Sequence, residues 1–178
     1  QTLTDPKLSR HYVAVMCPAP AAQDDRRYAA GVIADVLGDS EGSRLYWALV
    51  DTGLADEADM SYMAQDGIGS YVAFASCDPD RADEVQHILL EKIDEFGDTI
   101  EVDEIERAKN KIATEATVHG ESPGGRMHSM GGQWTYLGRY IPLSQEIERM
   151  MAVTSEDVCA LVKDMPYRPR TIVRLGPR

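Results

Sequence analysis

The sequence contains no motif of the common hydrolase or nucleotide-binding classes. Neither H-E-x-x-H nor its inverted form H-x-x-E-H occurs, so no helix of this chain supplies the usual ligands of a zinc hydrolase. The G-x-S-x-G frame of serine hydrolases and the G-x-x-x-x-G-K-[ST] phosphate loop are also missing. We therefore expect these 178 residues to hold no catalytic centre of their own.

Long apolar runs and an excess of positive charge are missing as well. No segment approaches the roughly 18 consecutive apolar residues that a membrane span requires, so we expect no membrane insertion. Thirty acidic side chains outnumber eighteen basic ones and give a formal net charge of -12, which disfavours binding to phosphate backbones. Nucleic acid is therefore not an expected partner.

Cysteine and histidine are scarce. The three cysteines, Cys17, Cys77 and Cys159, are odd in number and widely spaced, which predicts buried free thiols rather than a disulfide framework or a zinc ribbon. Among the four histidines, His119 comes one helical turn after Glu115, but this pair lacks further ligands. We expect no metal site in this chain.

What the sequence does contain is a succession of clear strand and helix patterns. A short apolar strand follows a polar segment, residues 1–9, which we interpret as an N-terminal linker. Apolar positions at helical spacing predict a first helix that ends at Gly38. The residues Gln65-Asp66-Gly67 separate two alternating runs, and this arrangement predicts a β-hairpin. Thr154 is a candidate N-cap for the last helix, with Asp157 as its partner.

The segment GESPGGR, residues 120–126, interrupts this pattern and predicts a flexible hinge or a surface loop. Apolar residues recur at helical spacing after it, although a Gly-Gly pair weakens the segment as an independent helix. We therefore expect packing in the core to hold this helix through its apolar positions, which are Met127, Met130, Trp134 and Leu137.

The predicted element order is β-α-α-β-β, then a run of helices, then a final strand. This order favours an α+β fold, a two-layer sandwich of a mainly antiparallel β-sheet packed against helices. Residues 10–178 are expected to form a single domain. The chain starts without an initiator Met or a leader pattern, which predicts the second half of a longer chain.

Four segments resemble a known family in the expected order. They are GDSEGSRLYWALVDTGLADEADMSY from residue 38, GSYVAFASCDPDRADEVQHILLEKIDEF from residue 69, IEVDEIERAKNKIATE from residue 100 and AVTSEDVCALVKDM from residue 152. Together they resemble the C-terminal homologous domain of the pitrilysin, insulysin and mitochondrial processing peptidase group of zinc metallopeptidases. The resemblance covers about residues 10 to 176.

The resemblance implies a metal-free half of a clam-shell zinc endopeptidase. Its expected partners are a catalytic N-terminal domain or a partner subunit that holds the zinc, together with an unfolded peptide substrate that adds a strand to a sheet edge. The acidic surplus would favour basic peptides. The resemblance is also compatible with a homodimer and with a location in the bacterial cytoplasm or periplasm, and we expect one of these two compartments.

The resemblance also indicates where a substrate would be contacted. Active family members place an Arg and a Tyr where this sequence has Val50 and Asp56. The substrate-binding candidates therefore come from the nearby loop and hairpin, and they are Ser43, Arg44, Tyr62 and Tyr71.

Two alternatives follow from the same residues. Val50 and Asp56 favour a proteolytically inactive structural or assembly subunit of the same fold. An independent α+β ligand-binding module that shares the pattern by chance is the other alternative.

Overall fold

A mixed β-sheet forms one layer of the fold. Its five strands lie in the order β1-β5-β2-β4-β3 in a computed structural model that describes residues 1–177. β1 is parallel to β5, whereas the β5–β2, β2–β4 and β4–β3 pairs are antiparallel, which confirms the expected mainly antiparallel sheet. The strands are β1 Thr2–Thr4, β2 His11–Ala19, β3 Glu57–Ala64, β4 Gly69–Cys77 and β5 Thr171–Gly176.

Helices form the second layer. A π-helical turn, Tyr46–Val50, and a 3-10 turn, Pro79–Arg81, accompany the α-helices. Within residues 1–177 the α-helices are α1 Arg27–Gly38, α2 Ala82–Asp94, α3 Phe96–Thr99, α4 Val102–Glu121, α5 Pro123–Leu137, α6 Leu143–Met151 and α7 Ser155–Asp164.

Local signals place several of these boundaries. The predicted capping box at the start of α7 is present, since the Thr154 side chain accepts from the Asp157 N–H and the Asp157 carboxylate accepts from Thr154. The hairpin between β3 and β4 turns at Gly67, whose φ of +69° is a conformation that favours glycine. Both elements confirm the sequence-based prediction.

The core lies between the sheet and the helices. Alternate residues of β2, which are Val13, Val15 and Cys17, are at most 4% exposed and point toward the helical layer. α1 packs so closely on β3 that a Cβ atom on Gly38 would lie 1.9 Å from the backbone nitrogen of Met60. The two-layer α+β prediction is therefore confirmed.

Two predicted breaks in regular structure differ from the observed chain. Residues 1–9, interpreted as a linker, include β1, which hydrogen-bonds beside β5 at the sheet edge. The GESPGGR segment is not a loop, because α4 ends at Glu121 and α5 begins at Pro123. Ser122 is the N-cap of α5, and its hydroxyl accepts from the Gly125 N–H. Proline at the first helical position then favours immediate helix formation.

Two burial predictions were wrong. Cys17 and Cys77 are buried free thiols, but Cys159 is exposed on α7. The apolar positions of α5 do not enter the core, since Met127 and Trp134 are 69% and 66% exposed. α5 packs mainly against the exposed second half of α4.

Candidate functional site

Ser43 and Arg44 hold the loop after α1 in place. Ser43 is only 3% exposed, and its hydroxyl accepts a hydrogen bond of 3.1 Å from the Tyr46 N–H at the start of the π-helical turn. Arg44 donates from Nε and Nη2 to the two carboxylate oxygens of Glu104, at 2.9 and 2.6 Å, and from Nη1 to the Thr99 hydroxyl at 2.6 Å. Both side chains are therefore engaged within the domain.

The Arg44–Glu104 ion pair is largely shielded from solvent, with side-chain exposures of 15% and 17%. Burial alone would raise the pKa of the Glu104 carboxyl, but hydrogen bonds from Arg44 and from the Glu101 N–H hold that pKa below its usual value. The Arg44 guanidinium also lies 5.1 Å from the centre of the Phe96 ring. This cluster joins the loop after α1 to α3 and the start of α4.

Tyr62 and Tyr71 lie side by side on the hairpin, with ring centres 5.6 Å apart. The Tyr62 hydroxyl donates to the Pro20 carbonyl at 2.6 Å, and burial raises the pKa of Tyr62 to about 12. Tyr71 is 1% exposed, and its hydroxyl has no hydrogen-bond partner among residues 1–177. Burial, followed by the neighbouring Tyr167, raises the pKa of Tyr71 well above its usual value.

The four predicted residues do not form one site. Ser43 lines a small cavity of about 160 Å³ beside Lys111, whereas Tyr62 lines a neighbouring cleft of about 420 Å³ beside Asp59. The two cavities meet at Asp35 and Asp39. Arg44 is committed to Glu104, and Tyr71 is inside the core. No hydroxyl or guanidinium of this set projects freely into a shared cavity.

Two arginine side chains donate hydrogen bonds to the segment from Val50 to Asp56, and the sequence analysis did not predict these contacts. Arg10, at the start of β2, donates to the Asp56 carboxylate at 3.0 Å and also to Asp78. Arg81 donates from Nη1 to the Gly53 carbonyl at 2.7 Å. Both arginines are distant in sequence from this segment, so no local motif could have found them.

Within residues 1–177 the second face of the sheet carries no helix, and we call this surface the open sheet face. Tyr12 and Phe74 stack on it, with ring centres 6.1 Å apart. By strand register and alternation, its apolar residues are Tyr12, Ala14, Met16, Val72, Phe74, Val173 and Leu175. They lie outside the core cluster and are half-buried or, for Met16, 50% exposed.

Carboxylates border this apolar surface on β3. Glu57 and Asp59 alternate with residues that point to the core, so both lie on the open sheet face. Burial, reinforced by the charge of Glu57, raises the pKa of Asp59. An apolar surface with an acidic border can hold an extended chain that carries apolar and basic side chains.

The described residues contain no centre for metal chemistry. No group of three or more His, Cys, Asp or Glu side chains in residues 1–177 is arranged to hold a metal ion. Glu115 and His119 lie on α4 as predicted, and Glu115 is 3.9 Å from Lys111. Over the same residues, none of the helices has the length and apolar character to cross a bilayer.

These features define an α+β domain with helices on one face of its sheet, an open second face and no zinc-ligand set in residues 1–177. A family model described as the peptidase M16 inactive domain matches residues 1–112. The chain belongs to this family, which confirms the resemblance identified from the four sequence segments. The alternative of an independent ligand-binding module that shares the sequence pattern by chance is therefore wrong.

Individual relatives agree with this assignment. The chain is 26% identical over 173 residues to an uncharacterized zinc protease of Streptomyces coelicolor, and the match covers 96% of this chain and 38% of that protein. The fold matches the inactive peptidase domain from Bordetella parapertussis with a TM-score of 0.81 and 24% identity, covering 93% of this chain and 91% of that one.

Longer chains contain the same fold. A chain of complex III2 from Candida albicans matches with a TM-score of 0.90 and 16% identity, covering 99% of this chain and 45% of that one. A Helicobacter pylori protease matches with a TM-score of 0.86 and 18% identity, covering 98% and 43% respectively. This chain thus spans less than half the length of these proteins.

Proposed function

We propose that the domain is the metal-free half of a zinc endopeptidase, where it closes the chamber and helps to bind an extended peptide. The observation that carries the proposal is the open sheet face, an apolar surface bordered by Glu57 and Asp59 in a domain of the M16 inactive family. Zinc, when bound by a catalytic half or a partner subunit, would polarise the peptide carbonyl and activate water. The residues of this domain would bind and orient the substrate.

The geometry favours binding on the sheet face over addition of a strand at a sheet edge. β3 forms one edge, and α1 lies against it, with Gly38 close to the Met60 backbone nitrogen and a cleft of about 420 Å³ between the two elements. β1 forms the other edge, but it is three residues long and is followed closely by Pro6. Short or covered edges resist pairing with a further strand. The open face offers a longer, uninterrupted surface.

The predicted contact residues have a supporting role in this proposal. Ser43 and Arg44 fix the loop after α1, and Tyr62 ties the hairpin to Pro20. Tyr71 fills the core below the sheet. Each would influence peptide binding through the position of the strands, because its polar group is engaged or buried.

The test is peptide binding and cleavage by the complete protein with a single change on the open sheet face. Met16→Lys removes half-exposed apolar surface and adds a charge that repels a basic peptide, so we expect KM for an unstructured basic peptide to rise about tenfold. Val102→Lys is the matched control, since Val102 is 61% exposed at the start of α4 in the helical layer.

Equal KM values for the two variants would contradict binding on the open sheet face. The same assay without this domain tests the half-peptidase proposal itself. Zinc-dependent cleavage that needs this domain supports it, whereas undiminished cleavage by the catalytic half alone would contradict it.

A second candidate function is that of a structural or assembly subunit without proteolytic activity. The replacement of the family Arg and Tyr by Val50 and Asp56 favours it, because Val50 offers no polar group and Asp56 pairs with Arg10. The fold shared with a chain of complex III2 is compatible with this function. A complete, zinc-loaded protein that cleaves no unstructured peptide would select this candidate.

A further inference from the structure

The outer surface of α5 exposes large apolar side chains. Met127, Met130 and Trp134 are 69%, 50% and 66% exposed, and they recur at the three- and four-residue intervals of one helical face. Two further apolar side chains close in sequence are also exposed, Val118 on α4 at 62% and Tyr140 after α5 at 51%. Apolar positions at this spacing are typical of a helix that packs on another helix.

Glycine makes α5 depend on such packing. Gly131 and Gly132 lie in the middle of the helix, and glycine is a poor helix former because the unfolded chain gains so much freedom. α5 packs mainly against α4, and the half of α4 that it meets is itself largely exposed. A helix of this composition gains most of its stability from tertiary contacts.

The same glycine gives the surface its shape. Gly131 lies between Met127, one turn before it, and Trp134, one turn after it, on the same side of the helix. A Cβ atom on Gly131 would meet no heavy atom within 4 Å, so the position is an open depression with large apolar side chains on both sides. A side chain from a facing helix fits such a depression. We call Met127, Met130, Gly131 and Trp134 the α5 seam.

Residues 122–145, which contain the α5 seam, differ in charge from the remaining chain. They contain Arg126 and Arg139 and no Asp or Glu, although the whole chain has a formal charge of -12. The carboxylate of Glu146, which lines the same cleft as Met130, pairs with Arg27. A second copy would bring two such positive surfaces together across a symmetric contact, which is unfavourable. The surface instead complements an apolar helix flanked by carboxylates.

We propose that the α5 seam is the surface on which the zinc-binding half docks, through an apolar helix with acidic flanks. This inference rests on the proposed function, since it names the contact between the two halves. Docking covers the exposed methionines and Trp134 and supplies the packing that α5 lacks. Arg126 and Arg139 then face carboxylates of the partner.

Hydrogen exchange on the complete protein tests this contact, whether the two halves share a polypeptide or associate as subunits. We expect amides of residues 123–137 to exchange at least about tenfold more slowly in the complete protein than in the 178-residue chain alone. Gly131→Gln fills the depression with a polar side chain that favours helix, so it should abolish most of this protection in the complete protein.

Gly132→Gln is the matched control. Gly132 is also in the middle of α5, and a Cβ atom added there would likewise meet no heavy atom within 4 Å. Its position is rotated by about 100° around the helix axis from Gly131, so it lies off the seam. Protection of α5 that survives Gly132→Gln and is lost in Gly131→Gln supports the proposal.

Three outcomes would overturn it. The first is equal exchange of the α5 amides in the complete protein and in the chain alone. The second is concentration-dependent protection of α5 in the chain alone, which would indicate a second copy. The third is protection of α5 by anionic phosphatidylglycerol vesicles without the other half, which would indicate a lipid surface. Zinc content and peptide cleavage, measured on the same samples, report separately on the proposed function. An active zinc protein with unprotected α5 would refute only the docking surface.

Discussion

Removal of the Tyr71 hydroxyl should stabilise the protein. Tyr71 is 1% exposed, and its hydroxyl has no hydrogen-bond partner in residues 1–177. The folded state therefore loses the hydrogen bonds that water gives this hydroxyl in the unfolded chain. Phenylalanine keeps the ring contacts with Tyr62 and Tyr167 and does not carry this cost.

The expected gain is about 1 kcal/mol. An unsatisfied buried hydroxyl costs about 1–3 kcal/mol, from which the void left by one oxygen atom subtracts a few tenths of a kcal/mol. Tyr62→Phe is the matched control, because Tyr62 donates to the Pro20 carbonyl at 2.6 Å. Loss of the Tyr62 hydroxyl leaves the Pro20 carbonyl without this donor and should lower the free energy of unfolding by about 1 kcal/mol.

Urea unfolding of both variants at pH 7 measures these two changes in the free energy of unfolding, and thermal unfolding measures the accompanying shifts in Tm. For a domain of this size, 1 kcal/mol corresponds to a Tm shift of about 2–4 °C, upward for Tyr71→Phe and downward for Tyr62→Phe. A destabilisation of Tyr71→Phe equal to that of Tyr62→Phe would refute the reasoning, since it would mean that the Tyr71 hydroxyl is satisfied.

Two further substitutions test the charged groups near the loop after α1. Arg44→Met leaves the shielded Glu104 carboxylate without its guanidinium and should cost about 3 kcal/mol in urea unfolding. The double variant with Glu104→Met should recover part of this loss, since it removes the unpaired charge but also the hydrogen bond from the Glu101 N–H. An additive double variant would contradict a coupled pair. Asp35→Asn should stabilise the protein at pH 7 by about 1 kcal/mol after allowance for solvent screening. Burial, with the charge of Asp39, raises the pKa of Asp35 to about 6 in the folded state. The folded protein therefore binds this proton more tightly than the unfolded chain does. The resulting contribution to stability is fully present below the unfolded pKa near 4 and is lost as pH rises through 6. The variant should therefore differ from the parent in unfolding at pH 7 and resemble it at pH 4, whereas an equal difference at both pH values would exclude ionisation of Asp35 as the cause.

Elements with strong local signals were predictable from the sequence. The apolar period of α1, the Asp-Gly turn of the hairpin and the capping box at Thr154 each depend on residues within a few positions of one another. The family assignment also needed only the order and spacing of short segments. The fold class followed because the order of these elements leaves few ways to cover one sheet face with helices.

The candidate site was less predictable because its contacts are distant in sequence. Arg44 meets Glu104 sixty residues away, and Tyr62 donates to Pro20 forty-two residues away. Sequence reasoning identified Ser43, Arg44, Tyr62 and Tyr71 but had no signal for their internal partners. A polar residue in a promising segment has the same appearance in sequence whether its side chain faces a substrate or the core.

The sequence by itself determined the fold class, the family and the main local boundaries, since periodicity and capping are properties of short segments. Only the tertiary structure decided which surfaces stay uncovered. α5 has an apolar helical face that resembles a core helix in sequence, yet Met127 and Trp134 are exposed. β1 has too few residues for a strand pattern, yet it pairs with β5 at the other end of the chain. In both cases the outcome depends on which neighbour is available, and a local pattern cannot specify that neighbour.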